Sequence, residues 1–322
     1  MSDKQYIYAV ARIRANELSL LNNAFIDQLI GAKSYDECIR LLSEHGWGDG
    51  TDRTAAGMLA CERDKTWNLI AELVKDMKPF DVFLYRNDFH NLKAAIKETA
   101  SGKERDGIYI DHGTIEPKRI KEAVQAREFE NLPENMRAAA EEALNVLLHT
   151  GDGQLCDIIV DRAALEAIYK AAGESDNSVI RLYGELTVVT ADLKSAVRCQ
   201  RMKKDRQFID RCLVPCRTLD IRRLAAAATE DDDAISEYLR NTDYSEGADK
   251  LKESPSAFEC WSDNLIIRAI KPELYHPFTI GPLAAYILAR ENEIKTVRII
   301  LSGKNNGFSE DKIRERVREM YV

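Results

Sequence analysis

The stretch ARENEIKTVRIILSGKNNG, residues 289–307, sets Lys295 among apolar residues at helical spacing. The same setting recurs at Lys194 in ADLKSAVR and at Lys93 in HNLKAAIK, and consecutive lysines are 101 residues apart. A short pattern that returns twice at one interval indicates a repeated structural unit. This unit is longer than the repeats of common solenoids, so the pattern favours a triplicated helical domain.

An aspartate precedes each of these lysines on a second predicted helix. The three are Asp64 in CERDKTWNLIAEL, Asp161 in CDIIVDRAALEAI and Asp263 in ECWSDNLIIRAI, 29 to 33 residues upstream of the lysine. We expect each lysine to pair with a carboxylate on a neighbouring helix or to extend its charge past apolar neighbours. The alternative, that the lysines bind an anion or act in catalysis, is less favoured because an active site seldom needs three equivalent arrangements.

A helix-start pattern also recurs, in which an apolar residue precedes a capping residue and a second apolar residue follows four positions after the cap. Aspartate and serine accept hydrogen bonds from N–H groups at a helix start, glutamate does so less well, and the apolar pair resembles a hydrophobic staple. RANELSLL offers a looser fourth copy, with Ala15, Asn16 and Leu20. The clear copies are Ile115, Glu116 and Ile120 in TIEPKRI; Leu219, Asp220 and Leu224 in TLDIRRL; and Phe308, Ser309 and Ile313 in GFSEDKI.

These patterns predict an all-α fold of three similar helical repeats, residues 1–113, 114–217 and 218–322. The last predicted helix, 309–322, is left over by this division and can close against the first repeat.

Proline and glycine predict where several helices begin and end. Pro282 suits the start of a long helix in the third repeat, and Gly303 suits its end. Pro79 separates two helices in the first repeat, and Gly173 does so in the second. The only fair strand candidate, GIYID at 107–111, is expected to be a loop.

The charge balance argues against general nucleic-acid binding, because the net charge is −8 and the pI about 5.4. One group of cations lies at a predicted helix end, where positive charge also suits the helix macrodipole. It is either a solvated helix end or a partner-contact surface. We call the following residues the basic cluster: Arg198, Arg201, Lys203, Lys204 and Arg206.

Motifs for catalysis, cofactors or metals are missing from the sequence. SGKNNG lacks the upstream glycine of a phosphate loop, and GDGTD fails the spacing of a calcium loop. The five histidines pair with no nucleophile at usable spacing, and Cys212 and Cys216 are not at zinc-knuckle spacing. We expect no catalytic residue, no cofactor and no metal site.

The seven scattered cysteines and the lack of a signal peptide indicate reduced thiols in a cytoplasmic protein. The longest uncharged stretch, 276–289, is shorter than the roughly 20 apolar residues that span a bilayer. Membrane association is therefore expected to occur through another protein.

Three stretches resemble one protein family. YILARENEIKTVRIILSGKNNGFSEDKIRERVREMYV (286–322) resembles the C-terminal signature of the C subunit of prokaryotic V-type (A-type) ATPases, which is related to the d subunit of the eukaryotic vacuolar enzyme. YAVARIRANELSLL (8–21) is similar to the N-terminal signature, and YRNDFHNLKAAIK (85–97) to the motif of the first repeat. The middle repeat, TADLKSAVRCQR, departs most, since it lacks the asparagine or glutamate that precedes the leucine elsewhere.

The resemblance implies a non-catalytic rotor subunit of a rotary ATPase. Such a subunit is an all-helical funnel of three domains about a pseudo-threefold axis. It joins the central shaft, subunits D and F, to the proteolipid ring and passes torque between ATP chemistry and ion transport. It binds no nucleotide and lies peripherally on the membrane, on the cytoplasmic side. The basic cluster and the loop at 100–113 are then candidate contact surfaces.

Two other functions stay open. A free-standing helical scaffold for soluble partners fits the repeat equally well, and neighbouring genes for shaft, proteolipid and catalytic subunits would favour the rotor subunit instead. An all-helical enzyme would require a cleft in which acids of perturbed pKa converge.

Overall fold

The computed structural model describes residues 6–52, 54–277 and 279–322. Within these ranges every regular element is a helix, so the predicted all-α class is confirmed. In chain order the α-helices are α1 (Ile7–Glu17), α2 (Asn23–Gly31), α3 (Tyr35–Glu44), α4 (Ala55–Leu73), α5 (Asp81–Ser101), α6 (Pro117–Ala126), α7 (Glu134–Thr150), α8 (Gly153–Gly173), α9 (Ser178–Arg201), α10 (Arg206–Cys212), α11 (Ile221–Glu230), α12 (Asp232–Arg240), α13 (Glu246–Glu253), α14 (Pro255–Ile270), α15 (Gly281–Asn305) and α16 (Glu310–Arg314).

The chain divides into two compact units. The first comprises Met1–Met77, Asn177–Ile180 and Asp249–Val322, and the second comprises Lys78–Asp176 and Arg181–Ala248. The repeat boundaries after residues 113 and 217 describe recurrence along the sequence, and they stay a prediction.

Helix α15 is the central element of the first unit. Helices α1, α3, α4, α14 and α16 all pack against it. Its residues Ile294, Val297 and Ile300 share one apolar core with Leu29 of α2 and Leu42 of α3. A helix surrounded in this way is buried on most of its faces, and in α15 this includes the polar residues Arg290, Asn292 and Glu293.

The C-terminal end of α15 differs from the prediction. Gly303 lies inside the helix, which continues to Asn305. Gly307, just beyond the helix, adopts φ +65°, and the N–H of Phe308 donates to the carbonyl of Gly303 over 2.9 Å, which terminates the helix. The role of Gly303 is instead a close approach, because a Cβ at this position would lie 2.6 Å from Cγ1 of Ile313.

The three clear helix-start predictions are confirmed. Glu116, Asp220 and Ser309 are the N-cap residues of α6, α11 and α16. Only the Asp220 side chain caps its helix, by accepting from the N–H groups of Arg222 and Arg223. The pattern therefore located the starts correctly, although side-chain capping accounts for just one of them.

The fourth predicted start is wrong. Asn16 lies within α1, where its side chain donates to the carbonyl of Arg12 over 2.8 Å. The corresponding start occurs six residues later at Asn22, whose side chain accepts from the N–H of Phe25. Buried Leu21 and Ile26 flank it in the positions of the predicted staple.

The last predicted helix, 309–322, is also shorter than expected, since α16 ends at Arg314. Two asparagines explain the extended segment that follows. Asn264 of α14 accepts from the N–H of Glu319 over 3.0 Å, and Asn292 of α15 donates to its carbonyl over 2.8 Å. These bonds replace the ones that a continuing helix would make. Helix α16 itself packs on α2, where Arg314 pairs with Asp27.

Helix α5 is the corresponding central element of the second unit. It packs against α6, α7 and α8, and its residues Phe89, Leu92 and Ile96 share a core with Leu144 and Val160. Helix α10 packs on α8 and α11, and α11 packs on α12.

The predicted breaks between helices are confirmed. Pro79 lies in the 3₁₀ turn Lys78–Phe80 that precedes α5, and Gly173 is the last residue of α8. Residues 107–111 form a loop, as expected.

We predict that Gly303→Ala destabilises the first unit by about 1 to 3 kcal/mol, because the new methyl group would overlap buried Ile313. Gly31→Ala, at the end of α2, is the matched control, since a Cβ there meets no atom within 4 Å and alanine is the better helix former. Urea unfolding followed by circular dichroism measures both variants. Equal midpoints would show that Ile313 yields to the added methyl group without cost.

Candidate partner-binding surface

A salt bridge joins two of the recurring positions in the second unit. Lys93 Nζ on α5 lies 2.6 Å from Asp161 Oδ1 on α8, and Lys97 lies 2.6 Å from Asp157 one turn away. The Asp161 side chain is 64% exposed, so solvent screens the Lys93–Asp161 pair and it contributes at most about 1 kcal/mol. Apolar packing, rather than charge, holds α5 against α8.

A second salt bridge joins two recurring positions in the first unit. Lys295 Nζ on α15 lies 2.5 Å from Asp263 Oδ2 on α14. Arg318 Nη2, from the extended C-terminal segment, lies 2.7 Å from the same oxygen. Lys295 thus pairs with the aspartate of its own repeat, whereas Lys93 pairs with the aspartate of the following repeat.

The remaining two recurring residues lie on other helices. Asp64 is exposed on α4 in the first unit, and Lys194 is half-buried on α9 in the second.

Buried carboxylates, which the sequence reasoning missed, hold the segments that lead into two helix starts of the second unit. Asp88 on α5 accepts from the N–H groups of Thr114, over 3.0 Å, and Ile115, over 3.4 Å, and from the Thr114 hydroxyl over 2.6 Å. Glu185 on α9 accepts from the N–H and the hydroxyl of Thr218 over 2.8 and 2.7 Å. Each carboxylate fixes the chain within two residues of a predicted N-cap.

Glu293 on α15 makes the equivalent contact before the start of α2. It accepts from the N–H of Leu21, the residue that precedes the N-cap Asn22. It is also ion-paired with Arg290, which pairs in turn with Glu62 of α4. Burial raises the pKa of Glu293 to about 7, and the Arg290 charge opposes that rise. The first unit therefore joins the third repeat to the first through a buried charged network.

No common spacing in the sequence reveals these three carboxylates. Asp88, Glu185 and Glu293 lie five, nine and two positions before the lysine of their repeat. The only sequence signal for such a carboxylate is an acidic residue on the otherwise apolar face of a long helix. Using this signal requires knowing which face of the helix is buried.

The position two before each lysine is buried in all three repeats. Asn91 accepts from the N–H of Ile110 and donates to its carbonyl, both over 2.8 Å. Asp192 accepts from the N–H of Val214 over 3.0 Å, and Glu293 holds Leu21 as described. This is the position at which the middle repeat departs from the family pattern, so the departure places an aspartate in the core.

Asp192 is fully buried, and its second carboxyl oxygen has no hydrogen-bond partner among the described residues. Burial raises the pKa of Asp192 to about 8, against the opposing effects of the Val214 N–H and the Arg162 charge. At neutral pH the folded chain therefore favours the protonated carboxyl.

A cavity of about 590 Å³ lies between α5, α8, α9 and α10 in the second unit. We call it the α5/α8 groove. It brings together Lys93, Asp161, Lys194 and Arg198, which the sequence placed in two unrelated patterns. Five lysine and arginine side chains and two aspartates line it, together with apolar residues, so the groove is positively charged with an apolar wall.

The basic cluster forms the end of α9 and the turn into α10. Lys203 adopts φ +51°, and the N–H of Lys204 donates to the carbonyl of Cys199 over 3.0 Å, as in a Schellman motif. Arg198, Arg201 and Lys203 are exposed.

Three cations of the cluster have partners within the second unit. Arg201 lies 3.4 Å from Asp232 of α12. Lys204 donates to Gln154 over 2.8 Å. Arg206 lies 2.9 Å from Asp210. The exposed charge of the cluster is therefore centred on the end of α9 and on Lys203.

The loop at 100–113 is fastened to α5 along its length. Glu98 accepts from the N–H of Arg105 and from the hydroxyl of Tyr109, both over 2.7 Å, and Asn91 binds Ile110 as described. Residues 101–107 at its tip are exposed. The tip is therefore a solvent-facing surface on a fixed base.

No helix in residues 6–52, 54–277 and 279–322 is both long and apolar enough to cross a bilayer. In the same ranges no three His, Cys, Asp or Glu side chains group as they would around a metal ion.

Comparison with known proteins identifies similar chains of nearly equal length. The profile of the family described as ATP synthase (C/AC39) subunit matches residues 9–316. The C subunit of the V-type sodium ATPase of Enterococcus hirae is 23% identical, over 96% of this chain and 97% of its own. The C subunit of the V-type ATP synthase of Thermus thermophilus is 23% identical, over 97% and 98%. The C subunit of the A-type ATP synthase of Halorubrum lacusprofundi is 25% identical, over 96% of both chains.

We predict that Asp88→Ala destabilises the second unit by about 2 to 4 kcal/mol, because it leaves the buried N–H groups of Thr114 and Ile115 without their acceptor. Asp161→Ala is the control and should cost less than about 1 kcal/mol, because its salt bridge is exposed. Thermal and urea unfolding compare the two. A smaller loss for Asp88→Ala than for Asp161→Ala would contradict the assignment of the buried carboxylate as the structural anchor.

We predict that Asp192→Asn changes the pH dependence of stability. The folded pKa of Asp192, about 8, lies above its unfolded value near 4, so the folded state binds the extra proton in this window. The contribution of Asp192 is fully present below pH 4 and is lost as pH rises towards 8, by at most about 1.4 kcal/mol per pH unit. The asparagine variant should lose this slope. Urea midpoints of both proteins between pH 5 and pH 9 test it, and parallel curves would contradict the assignment.

Proposed function

The chain belongs to the ATP synthase (C/AC39) subunit family, and from that membership we propose that it is a non-catalytic rotor subunit of a V-type or A-type rotary ATPase. In this role it joins the central shaft, subunits D and F, to the proteolipid ring in the membrane. It transmits torque between ATP hydrolysis or synthesis and the transport of protons or sodium ions. It lies on the cytoplasmic side, peripheral to the membrane, and is held there by the complex.

The observation that carries this proposal is the extent of the family match. It runs from residue 9 to residue 316 and includes all three lysine patterns. The relatives from Enterococcus hirae and Thermus thermophilus are covered almost end to end. The chain is therefore matched along the full length of these relatives.

The packing within each unit supports a mechanical role. A part that transmits torque must resist deformation, and close-packed helical cores have low compressibility. In both units a central long helix also anchors incoming segments through buried carboxylates, among them Asp88 and Glu293. Such anchors keep connecting segments from yielding separately from the helices.

We assign the basic cluster and the α5/α8 groove to a contact with an acidic surface of a partner protein in the complex. The chain as a whole is acidic, with a net charge of −8, so a local group of exposed cations distinguishes this face from the rest. Charge complementarity of this kind steers association and is sensitive to salt. The exposed tip at 101–107 is a second candidate contact.

The charge-reversed variant Arg201→Glu/Lys203→Glu is expected to bind its partner roughly three- to tenfold more weakly, with a smaller dependence on salt. Purified shaft subcomplex D–F and detergent-solubilised proteolipid ring are tested separately as partners in pull-down and titration experiments. Lys118→Glu in α6 is the matched control, because its side chain is 82% exposed and lies outside the cluster. Circular dichroism confirms that each variant is folded.

Two negative results would test different parts of the proposal, the contact surface and the rotor assignment. Unchanged binding of the double variant to both partners would remove the basic cluster from the interface while leaving the rotor assignment standing. Binding of the wild-type chain to neither D–F nor the ring would contradict the rotor assignment. It would favour the helical scaffold for other soluble partners.

A further inference from the structure

Two cysteines of the second unit lie close together where α9 turns into α10. Cys199 is in the last turn of α9, and Cys212 is the last residue of α10. The turn that contains Lys203 in the left-handed conformation folds α10 back, so that the two sulfur atoms lie 3.8 Å apart. Both side chains are free thiols that line the α5/α8 groove, and Cys199 is buried there whereas Cys212 is half-buried. Neither their spacing in the sequence nor any metal-ligand pattern indicated this proximity.

The chemical environment of Cys199 differs from that of the other thiols. The sulfur–sulfur contact with Cys212 lowers the pKa of Cys199, and the charges of Lys204 and Arg198 act in the same direction. The same contact raises the pKa of Cys212. Burial raises the pKa of the five remaining cysteines, which all lie in the described part of the chain: Cys38, Cys61, Cys156, Cys216 and Cys260.

We propose that Cys199 and Cys212 are a redox-active pair that forms a reversible disulfide by exchange with a low-molecular-weight disulfide such as oxidised glutathione. The Cys199 thiolate attacks one sulfur of the oxidant, whose S–S bond breaks and releases one small thiol. Cys212 then gives up its proton and attacks Cys199 Sγ in the mixed disulfide, which expels the second small thiol. The two protein thiols are oxidised, and the small disulfide is reduced to two thiols.

The geometry allows this bond with limited movement. A disulfide requires the sulfur atoms to approach to about 2.05 Å. From their present separation the two sulfur atoms must approach by about 1.75 Å, and one of them is carried by α10, a helix of only seven residues. The starting separation of 3.8 Å is already a contact between the sulfur atoms.

The bond would close a loop around most of the basic cluster. Arg201, Lys203, Lys204 and Arg206 all lie between the two cysteines in the sequence. Oxidation would therefore fix the conformation of the turn that carries them, because a cross-link removes conformations of the enclosed segment. This consequence concerns the chain itself and does not depend on which partner the cluster binds.

The test uses the full-length protein, incubated with oxidised glutathione and then alkylated. Before alkylation the expected product is lighter than the reduced protein by two hydrogen atoms, after alkylation it carries two fewer alkyl groups than the alkylated reduced protein, and the link is broken by dithiothreitol. Trypsin should release CQR (199–201) linked to CLVPCR (212–217). Because the second peptide also contains Cys216, variants identify the partner: Cys199→Ser and Cys212→Ser should abolish the link, and Cys216→Ser should retain it.

A second measurement tests the closed loop. Amide exchange of residues 202–208 should slow on the order of tenfold in the oxidised protein, with no change in the Cys212→Ser variant. A link that persists in Cys212→Ser and disappears in Cys216→Ser would overturn the pairing. A glutathione adduct on Cys199 that never resolves would overturn it as well, and unchanged exchange in the linked protein would overturn the proposed effect on the turn.

Discussion

A buried carboxylate must find hydrogen-bond donors, and this requirement determines how successive segments of the chain are joined. Asp88, Glu185 and Glu293 lie on the long helices α5, α9 and α15 and are at most 6% exposed. They accept from backbone N–H groups just before α6, α11 and α2, respectively. The N–H donors belong to the backbone, so the carboxylate that binds them fixes which residues of the entering segment lie against the long helix. Glu293 of α15 holds the N–H of Leu21 in this way, so this contact joins a helix near the end of the sequence to a segment near its beginning.

Local features of the sequence were sufficient to predict several helix ends. The starts at Glu116 and Asp220, the turn at Pro79 and the end of α8 at Gly173 were all predicted from residues within one helical turn, although buried Asp88 and Glu185 also hold the segments before the first two. The all-α class follows from helical spacing in long apolar segments and needs no knowledge of packing.

The wrong predictions involve contacts between residues far apart in the sequence. Asn16 and Asn22 are equally good caps in isolation, and the choice between them is made by Glu293, which is 272 residues from Leu21. Gly303 resembles a helix end, yet its lack of a side chain accommodates Ile313 of α16, the helix that precedes the extended C-terminal segment. That segment stays extended because Asn264 and Asn292 bind its backbone. Sequence periodicity cannot indicate any of these three outcomes.

The sequence identified the residues of the candidate surface, but it did not show that they lie together. Lysines 93 and 194, Asp161 and the basic cluster were all identified from the sequence, while the groove that unites them depends on how α5, α8 and α9 pack. The sequence also left open which aspartate pairs with each recurring lysine, since Lys93 and Lys295 pair with aspartates of different predicted repeats.

An exposed salt bridge such as Lys93–Asp161 contributes at most about 1 kcal/mol. Replacing Asp161 by a carboxylate of another molecule would therefore cost the fold little. Recurring charges of this kind suit a surface that exchanges partners, whereas the buried carboxylates, whose removal leaves backbone donors without acceptors, maintain the fold beneath it.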